Sequence, residues 1–284
     1  IIDFLKKRRR TVPDAFKIRL YDLSLNNRFY WIRVLSQEKP MTQTRIEASV
    51  NNGKITLKTE NVRSLEIDLE QLQNEVNQVH WNGTMISVSG KSKLVLGNNF
   101  ESPMAQAFRK HGAFKSVFFN PFVLVIDDDP GTLDMARLIA NGWWRRGNGY
   151  VRILKDTEVT KEVIKNFNLI LLGSPSRNLM LKKLLPKTPA QLSDSGIQLD
   201  GKNFEGELSL AMIFPNPLNL KKMVAFLTGN SDKAERLSLY ALPLYSGSGI
   251  PHYMIFGEDV KQYGWGGVRD AGFFNRFGGM ETSP

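Results

Sequence analysis

Three consecutive carboxylates, Asp127, Asp128 and Asp129, stand at the end of the apolar run VLVI and directly before Pro130 and Gly131. Hard oxygen ligands of this kind suit Mg²⁺ or Ca²⁺. A second segment, GSPSR at residues 173–177, combines a glycine, the hydroxyls of Ser174 and Ser176, and the guanidinium of Arg177. Backbone amides, hydroxyls and a cation at a strand-to-helix turn are the chemistry of anion binding. Asp127, Asp128, Ser174, Ser176 and Arg177 are therefore the candidate ligand-binding residues, with a divalent metal, an anion or a carbohydrate as the ligand classes.

Each group also has a purely structural role open to it. Asp129 and Pro130 are a good start for a helix, since a carboxylate caps free N–H groups and complements the helix dipole. The segment VLVIDDDPGTLDMARLIA looks locally like the first strand and helix of a response-regulator receiver. The later strand NLILLGSPS, however, ends in Gly173 and Ser174, where a receiver needs its phosphoacceptor aspartate. A nucleotide-binding turn is excluded on charge, because DDDPG offers one glycine and three anions to a phosphate. YSGSGI fails as a nucleophile turn, since Ser246 stands where G-x-S-x-G needs its first glycine. His80, His111 and His252 are scattered, no H-E-x-x-H occurs, and there is no cysteine. No catalytic residue, metal centre or cofactor is assigned.

The elements that position these residues follow from periodicity. From Phe16 to about Leu96 the runs FKIRLYDL, FYWIRVL, TRIEASV, KITLKTE, RSLEIDL and TMISVSG alternate apolar and polar residues, as strands with one buried face do. VNNGKI and HWNGTM carry Asn-Gly pairs, the strongest short hairpin signal. After a linker-like VLGNNFESP, the stretch SPMAQAFRKH reads as a helix capped by Ser102. Continuous apolar runs follow: FVLVI, LILLG, LSLAMIF, MVAFLTG and YMIFG, which suit buried parallel strands. Helices are expected over residues 131–146, 160–166, 177–185 and 231–239, and the glycine-rich C-terminal stretch should dock its phenylalanines on the body. The expected fold is an antiparallel β-sandwich-like domain over residues 13–97, then an open, mainly parallel Rossmann- or flavodoxin-like α/β sheet over residues 98–284.

Composition narrows the partners. The chain has 284 residues, 42% hydrophobic content and a net charge of +10. No apolar run reaches the roughly 20 residues of a membrane span, so a soluble protein with no membrane partner is expected. Five of the positive charges form one run, Lys6 to Arg10, after Ile1, Ile2, Phe4 and Leu5. Without interleaved aromatics or a known binding motif, this run does not make a nucleic-acid partner. Residues 1–12 are expected to be the terminal helix of an upstream domain.

The order of several segments resembles the region that follows the catalytic domain in large multidomain α/β-hydrolases, the esterases and peptidases related to prolyl oligopeptidase and polyhydroxybutyrate depolymerase. The matching pieces are IIDFLKKRRRTVPDAFKIRLYDLSLNNRFYWIRV, ASVNNGKITLKTENVRSLEIDL, SPMAQAFRKHG followed by FVLVI, NLILLGSPSRN, FPNPLNLKKMVAFLTG and the closing AGFF. IDDDPG departs from the pattern, where relatives tend to carry a small glycine- or threonine-containing turn. The resemblance implies an upstream α/β-hydrolase catalytic domain as partner, with the triad outside this chain, and an accessory role: supporting, positioning or dimerising that domain. Homo-oligomerisation is a further option, and the compartment is left open, export included.

Overall fold

In the computed structural model of the chain, the described residues are 12–72, 75–88, 90–98, 102–110, 112–244, 249–275 and 278–280. The terminal helix expected over residues 1–12 lies, apart from Val12, outside them, as do His111 and residues 245–248 of YSGSGI. The chain divides into two compact units, Ile1–Glu101 and Ser102–Pro284.

Among its described residues the first unit is built from strands, with one short 3₁₀ turn. In order these are β1 (Ala15–Leu20), β2 (Arg28–Phe29), β3 (Ile32–Gln37), β4 (Thr44–Asn51), β5 (Lys54–Glu60), β6 (Val62–Asp68), β7 (Gln78–Trp81), β8 (Thr84–Ser87) and β9 (Lys93–Gly97). They form a five-stranded sheet, β1-β4-β5-β7-β8, and a four-stranded sheet, β2-β3-β6-β9. Inward residues of both sheets, including Ile46, Ile55 and Leu57 of one and Ile32, Leu65 and Ile67 of the other, share one core. Period-two alternation is what such a core demands, since each strand buries every second side chain. Trp31 lies fully inside it, with its indole Nε1 donating to the Pro13 carbonyl at 3.4 Å.

Two expectations for this unit need correction. β5 and β7 pair in parallel, so the five-stranded sheet is mixed and not wholly antiparallel. The intervening β6 crosses to the other sheet, and the chain returns beside β5 in the same direction. The segment read as a linker begins inside β9, because Leu94 and Leu96 are buried.

Both Asn-Gly hairpins form. Asn52 and Gly53 take φ of 48° and 72°, and Asn82 and Gly83 take 47° and 88°, the paired left-handed values of a type I′ turn. A Cβ on Gly53 would also stand 3.1 Å from the Glu75 carbonyl, whereas one on Gly83 meets nothing within 4 Å. Gly53→Ala should therefore destabilise the fold by about 1 to 2 kcal/mol and Gly83→Ala by about 1 kcal/mol or less. Equal urea midpoints for the two variants would contradict this.

The second unit centres on a seven-stranded sheet. Its strands are β10 (Phe122–Ile126), β11 (Arg152–Lys155), β12 (Asn168–Leu172), β16 (Ser209–Pro215), β17 (Met223–Gly229), β18 (Tyr253–Phe256) and β19 (Val268–Gly272), in the order β11-β10-β12-β17-β16-β18-β19. The missing numbers belong to a three-stranded meander, β13 (Ala190–Ser193), β14 (Gly196–Leu199) and β15 (Lys202–Glu205). The described helices are α1 (Pro103–Lys110), α2 (Pro130–Gly147), α3 (Lys161–Asn166), α4 (Leu179–Leu184), α5 (Asp232–Leu237) and α6 (Val260–Tyr263).

Successive residues of the central strands divide between two cores. Val123, Leu169, Met212 and Phe226 face one, where Phe108 of α1, Val163 of α3 and Leu181 of α4 cover them. Leu124, Ile170, Ile213 and Ala225 face the other, under Met135 and Ala136 of α2 and Leu237 of α5. Burial on both faces explains why these strands are continuously apolar.

That same burial misleads about direction. β11, β10, β12 and β17 are mutually parallel, but β16 runs antiparallel to both β17 and β18, and β19 antiparallel to β18. The sheet is mixed, and LSLAMIF and YMIFG are not parallel strands. An unbroken apolar run reports coverage of both faces and carries no information on strand polarity.

The remaining expectations concern caps and aromatics. Ser102 Oγ accepts from the Ala105 N–H at 3.1 Å at the start of α1. Phe274 is fully buried against Phe108, Phe214 and Tyr253, so the C-terminal segment does dock through a phenylalanine. Trp143 packs on Phe118 and Phe122, while its neighbour Trp144 is exposed. No helix among the described residues is long and apolar enough to cross a membrane.

Candidate functional site

β10 pairs on one side with β11 and on the other with β12, so the connections leave it in opposite directions. A crevice opens above the C-terminal ends of strands at such a reversal, and it is the usual ligand position in open α/β sheets. Asp127 follows β10, residues 173–177 follow β12, and α5 follows β17. The expected ligand-binding residues are thus gathered at the C-terminal ends of these strands, although not all in one cluster.

Asp127 is almost completely buried, at 3% exposure. Its Oδ1 accepts from the Asp129 N–H at 3.1 Å and its Oδ2 from Arg177 Nε at 3.3 Å. Asp129 caps α2 through Oδ2, which accepts from the Thr132 N–H at 3.0 Å. Asp128 turns away to solvent and pairs with Lys155 at the end of β11, Oδ1 to Nζ 2.6 Å. The hydrogen bond and charge of Asp128 raise the Lys155 ammonium above its ordinary value. The three adjacent carboxylates therefore have three different partners and do not converge.

Ser174 and Ser176 hydrogen-bond each other, Oγ to Oγ 2.8 Å, and Ser174 Oγ accepts from the Ser176 N–H at 3.2 Å. Gly173 takes a left-handed φ of 102°, and a Cβ there would lie 2.7 Å from Asp127 Oδ2. Glycine is required on both counts. Its carbonyl accepts from Thr228 Oγ1 at 2.6 Å, tying the end of β12 to that of β17.

Arg177 is the centre of the site. Nε donates to Asp127, Nη1 to Asp232 Oδ1 at 3.1 Å and Nη2 to Glu235 Oε2 at 2.6 Å. Asp232 and Glu235, both on α5, were not identifiable from the sequence, because nothing local marks a residue as the ion-pair partner of another more than fifty positions away. Burial works against the charge on Arg177. The carboxylates of Glu235, Asp232 and Asp127 outweigh it, and the guanidinium is raised above its ordinary value.

Glu235 behaves in the opposite sense. Burial pushes its carboxyl up, Arg177 pulls it down, Asp232 and Asp127 add repulsion, and the balance is about 7. The folded-state value lies above the ordinary 4.5, so the folded chain holds an extra proton between these limits. This contribution to stability is complete below pH 4.5 and is lost as pH rises through about 7. Glu235 alone should lower stability by up to about 3 kcal/mol between pH 4.5 and 8. Glu235→Gln, which keeps an acceptor for Arg177, should flatten that part of the urea-unfolding pH profile. An unchanged slope would assign the titration to another group.

The arrangement is one guanidinium locked among three carboxylates, two of them buried. Among the described residues no group of three or more His, Asp and Glu side chains is set to hold a metal ion. His252 is 2% exposed, with Nδ1 accepting from the Phe274 N–H at 2.9 Å and its ring among Phe108, Phe273 and Phe274. His80 lies in β7, in the first unit. No protein-family model matches the sequence, and a search of curated proteins finds no match.

Proposed function

We propose that this chain is a non-catalytic accessory region of a larger serine hydrolase, an esterase or peptidase, that supports, positions or dimerises the catalytic domain. The observation carrying this reading is the engagement of Arg177 by carboxylates at the C-terminal ends of the parallel strands. Each of its three nitrogens donates to a carboxylate of the same unit, which leaves two of its five N–H groups for anything else. A site that binds substrate needs polar groups left free to turn toward it. The second unit is read as Rossmann- or flavodoxin-like on the four parallel strands β11-β10-β12-β17 with helices in their connections. The antiparallel edge β16-β18-β19 is read as an elaboration on that plan.

The test is activity-based labelling. A fluorophosphonate probe should label the endogenous full-length protein and leave the purified 284-residue chain unlabelled, and that chain should not hydrolyse p-nitrophenyl esters. Labelling of the chain itself, abolished by replacing one of its serines, would overturn the proposal. The alternative, a ligand module for a divalent metal, an anion or a carbohydrate, requires Arg177 to leave its carboxylates. Calorimetric titration with Mg²⁺, phosphate and oligosaccharides on wild type and Arg177→Met decides it.

A further inference from the structure

The opposite end of the parallel strands carries a different kind of surface. Lys161 and Lys165 lie one turn apart on α3, Lys183 is on α4, and Lys221 and Lys222 are in the loop joining β16 to β17. All five line one cleft of about 870 Å³. The loop is clamped to α3. Asn219 Nδ2 donates to the Ile164 carbonyl at 3.0 Å, and Lys222 Nζ to the Asn166 carbonyl at 2.8 Å. These bonds satisfy carbonyls that the end of a helix leaves open, and they fix the spacing of the lysines.

None of the five lysines forms an ion pair with a described residue, and no described carboxylate lines the cleft. Elsewhere the chain provides such partners: Lys17 with Glu47, Lys155 with Asp128, Lys202 with Asp270, Lys233 with Glu258. Glu162, the acidic residue of α3, pairs with none of the five. Five like charges converging on a concave surface repel one another and concentrate counter-ions there.

We propose that this cleft is a binding site for a small, multiply charged anion carrying two or more phosphate groups. The volume is that of a small-molecule site. Ile164 and Leu218 also line it, enough for a compact organic body but with no aromatic ring on which bases could stack. Ammonium groups on flexible stems fit a ligand recognised by charge more than by planar geometry. The site is separate from the Arg177 crevice, and its test does not depend on the accessory role.

The experiment is isothermal titration of the whole chain with inorganic tripolyphosphate. The result expected is one saturable site that weakens as salt is raised from about 50 to 300 mM. The triple variant Lys161→Ala, Lys165→Ala, Lys221→Ala should lose at least about tenfold in affinity. A control variant, Lys17→Ala, Lys54→Ala, Lys58→Ala, removes the same charge from the first unit and should bind as wild type does. The three cleft lysines are exposed, so without anion the cleft variant should melt no lower than wild type, which separates lost binding from lost folding. Absence of saturable binding, or equal losses in both variants, would overturn the proposal. So would tighter binding of duplex DNA or phosphatidylserine vesicles through the same three lysines, which would make the partner a macromolecule or a membrane.

Discussion

Arg177→Met is expected to lower the free energy of unfolding at pH 8 by about 4 kcal/mol, because breaking a buried ion pair leaves an uncompensated charge behind. Two such charges are at stake. Asp127 and Glu235 are 3% and 5% exposed at the side chain, and both lose the donor that faces them. Arg177 is itself 36% exposed and Asp232 is 82% exposed, so the third pair adds little. The loss should shrink as pH falls through about 7, since Glu235 takes up a proton and stops needing a cation. Urea unfolding at pH 5 and pH 8 provides the check. A pH 8 loss under about 1 kcal/mol would mean that water already solvates these carboxylates.

Asn178→Ala is expected to cost a similar amount, about 3 to 4 kcal/mol, by a mechanism that does not depend on pH. Asn178 is fully buried. Its Oδ1 accepts from the N–H groups of Met180 and Leu181 at 2.9 and 3.1 Å, capping α4. Its Nδ2 donates to the carbonyls of Leu172 and Val125 at 3.0 and 3.3 Å, joining the ends of β12 and β10. Alanine removes the cap and leaves these backbone groups without that partner, at roughly 1 kcal/mol or more for each group affected. Asn178→Asp separates the two halves of the role. A carboxylate still caps the helix but cannot donate to the strand ends, so it should recover only part of the loss. Full recovery would show that the strand-end bonds contribute nothing.

Both residues lie in one short segment, and the sequence marks them unequally. The glycine, the hydroxyls and Arg177 of GSPSR are visible as a polar turn between an apolar strand and a helix. That Arg177 would face inward was not visible, because its partners Asp127, Asp232 and Glu235 are 50, 55 and 58 residues away. Such a turn looks the same whether its cation waits for a ligand or is already paired. Asp128 shows the converse, adjacent to Asp127 in the chain yet paired outward with Lys155. The lysines of the cleft are scattered over some sixty positions, and only folding brings them together.

Features that depend on residues within a turn or two of each other can be read directly from the order of amino acids. The Asn-Gly pairs fix left-handed φ values and so the two hairpins. Thr160, Ser231 and Asp129 start their helices by accepting N–H groups three residues on. Alternating runs mark strands with one buried face, and continuous runs mark strands buried on two. The meander β13-β14-β15 was legible in principle, since Asp200 and Gly201 take the same paired turn conformation, but its short polar strands carry little periodic signal. The direction of β16, β18 and β19, the parallel pairing of β5 with β7, and the choice of which charges meet emerge only from long-range packing. A backbone turn is set by energies local to it, whereas strand polarity and ion pairing are set by where distant segments come to rest.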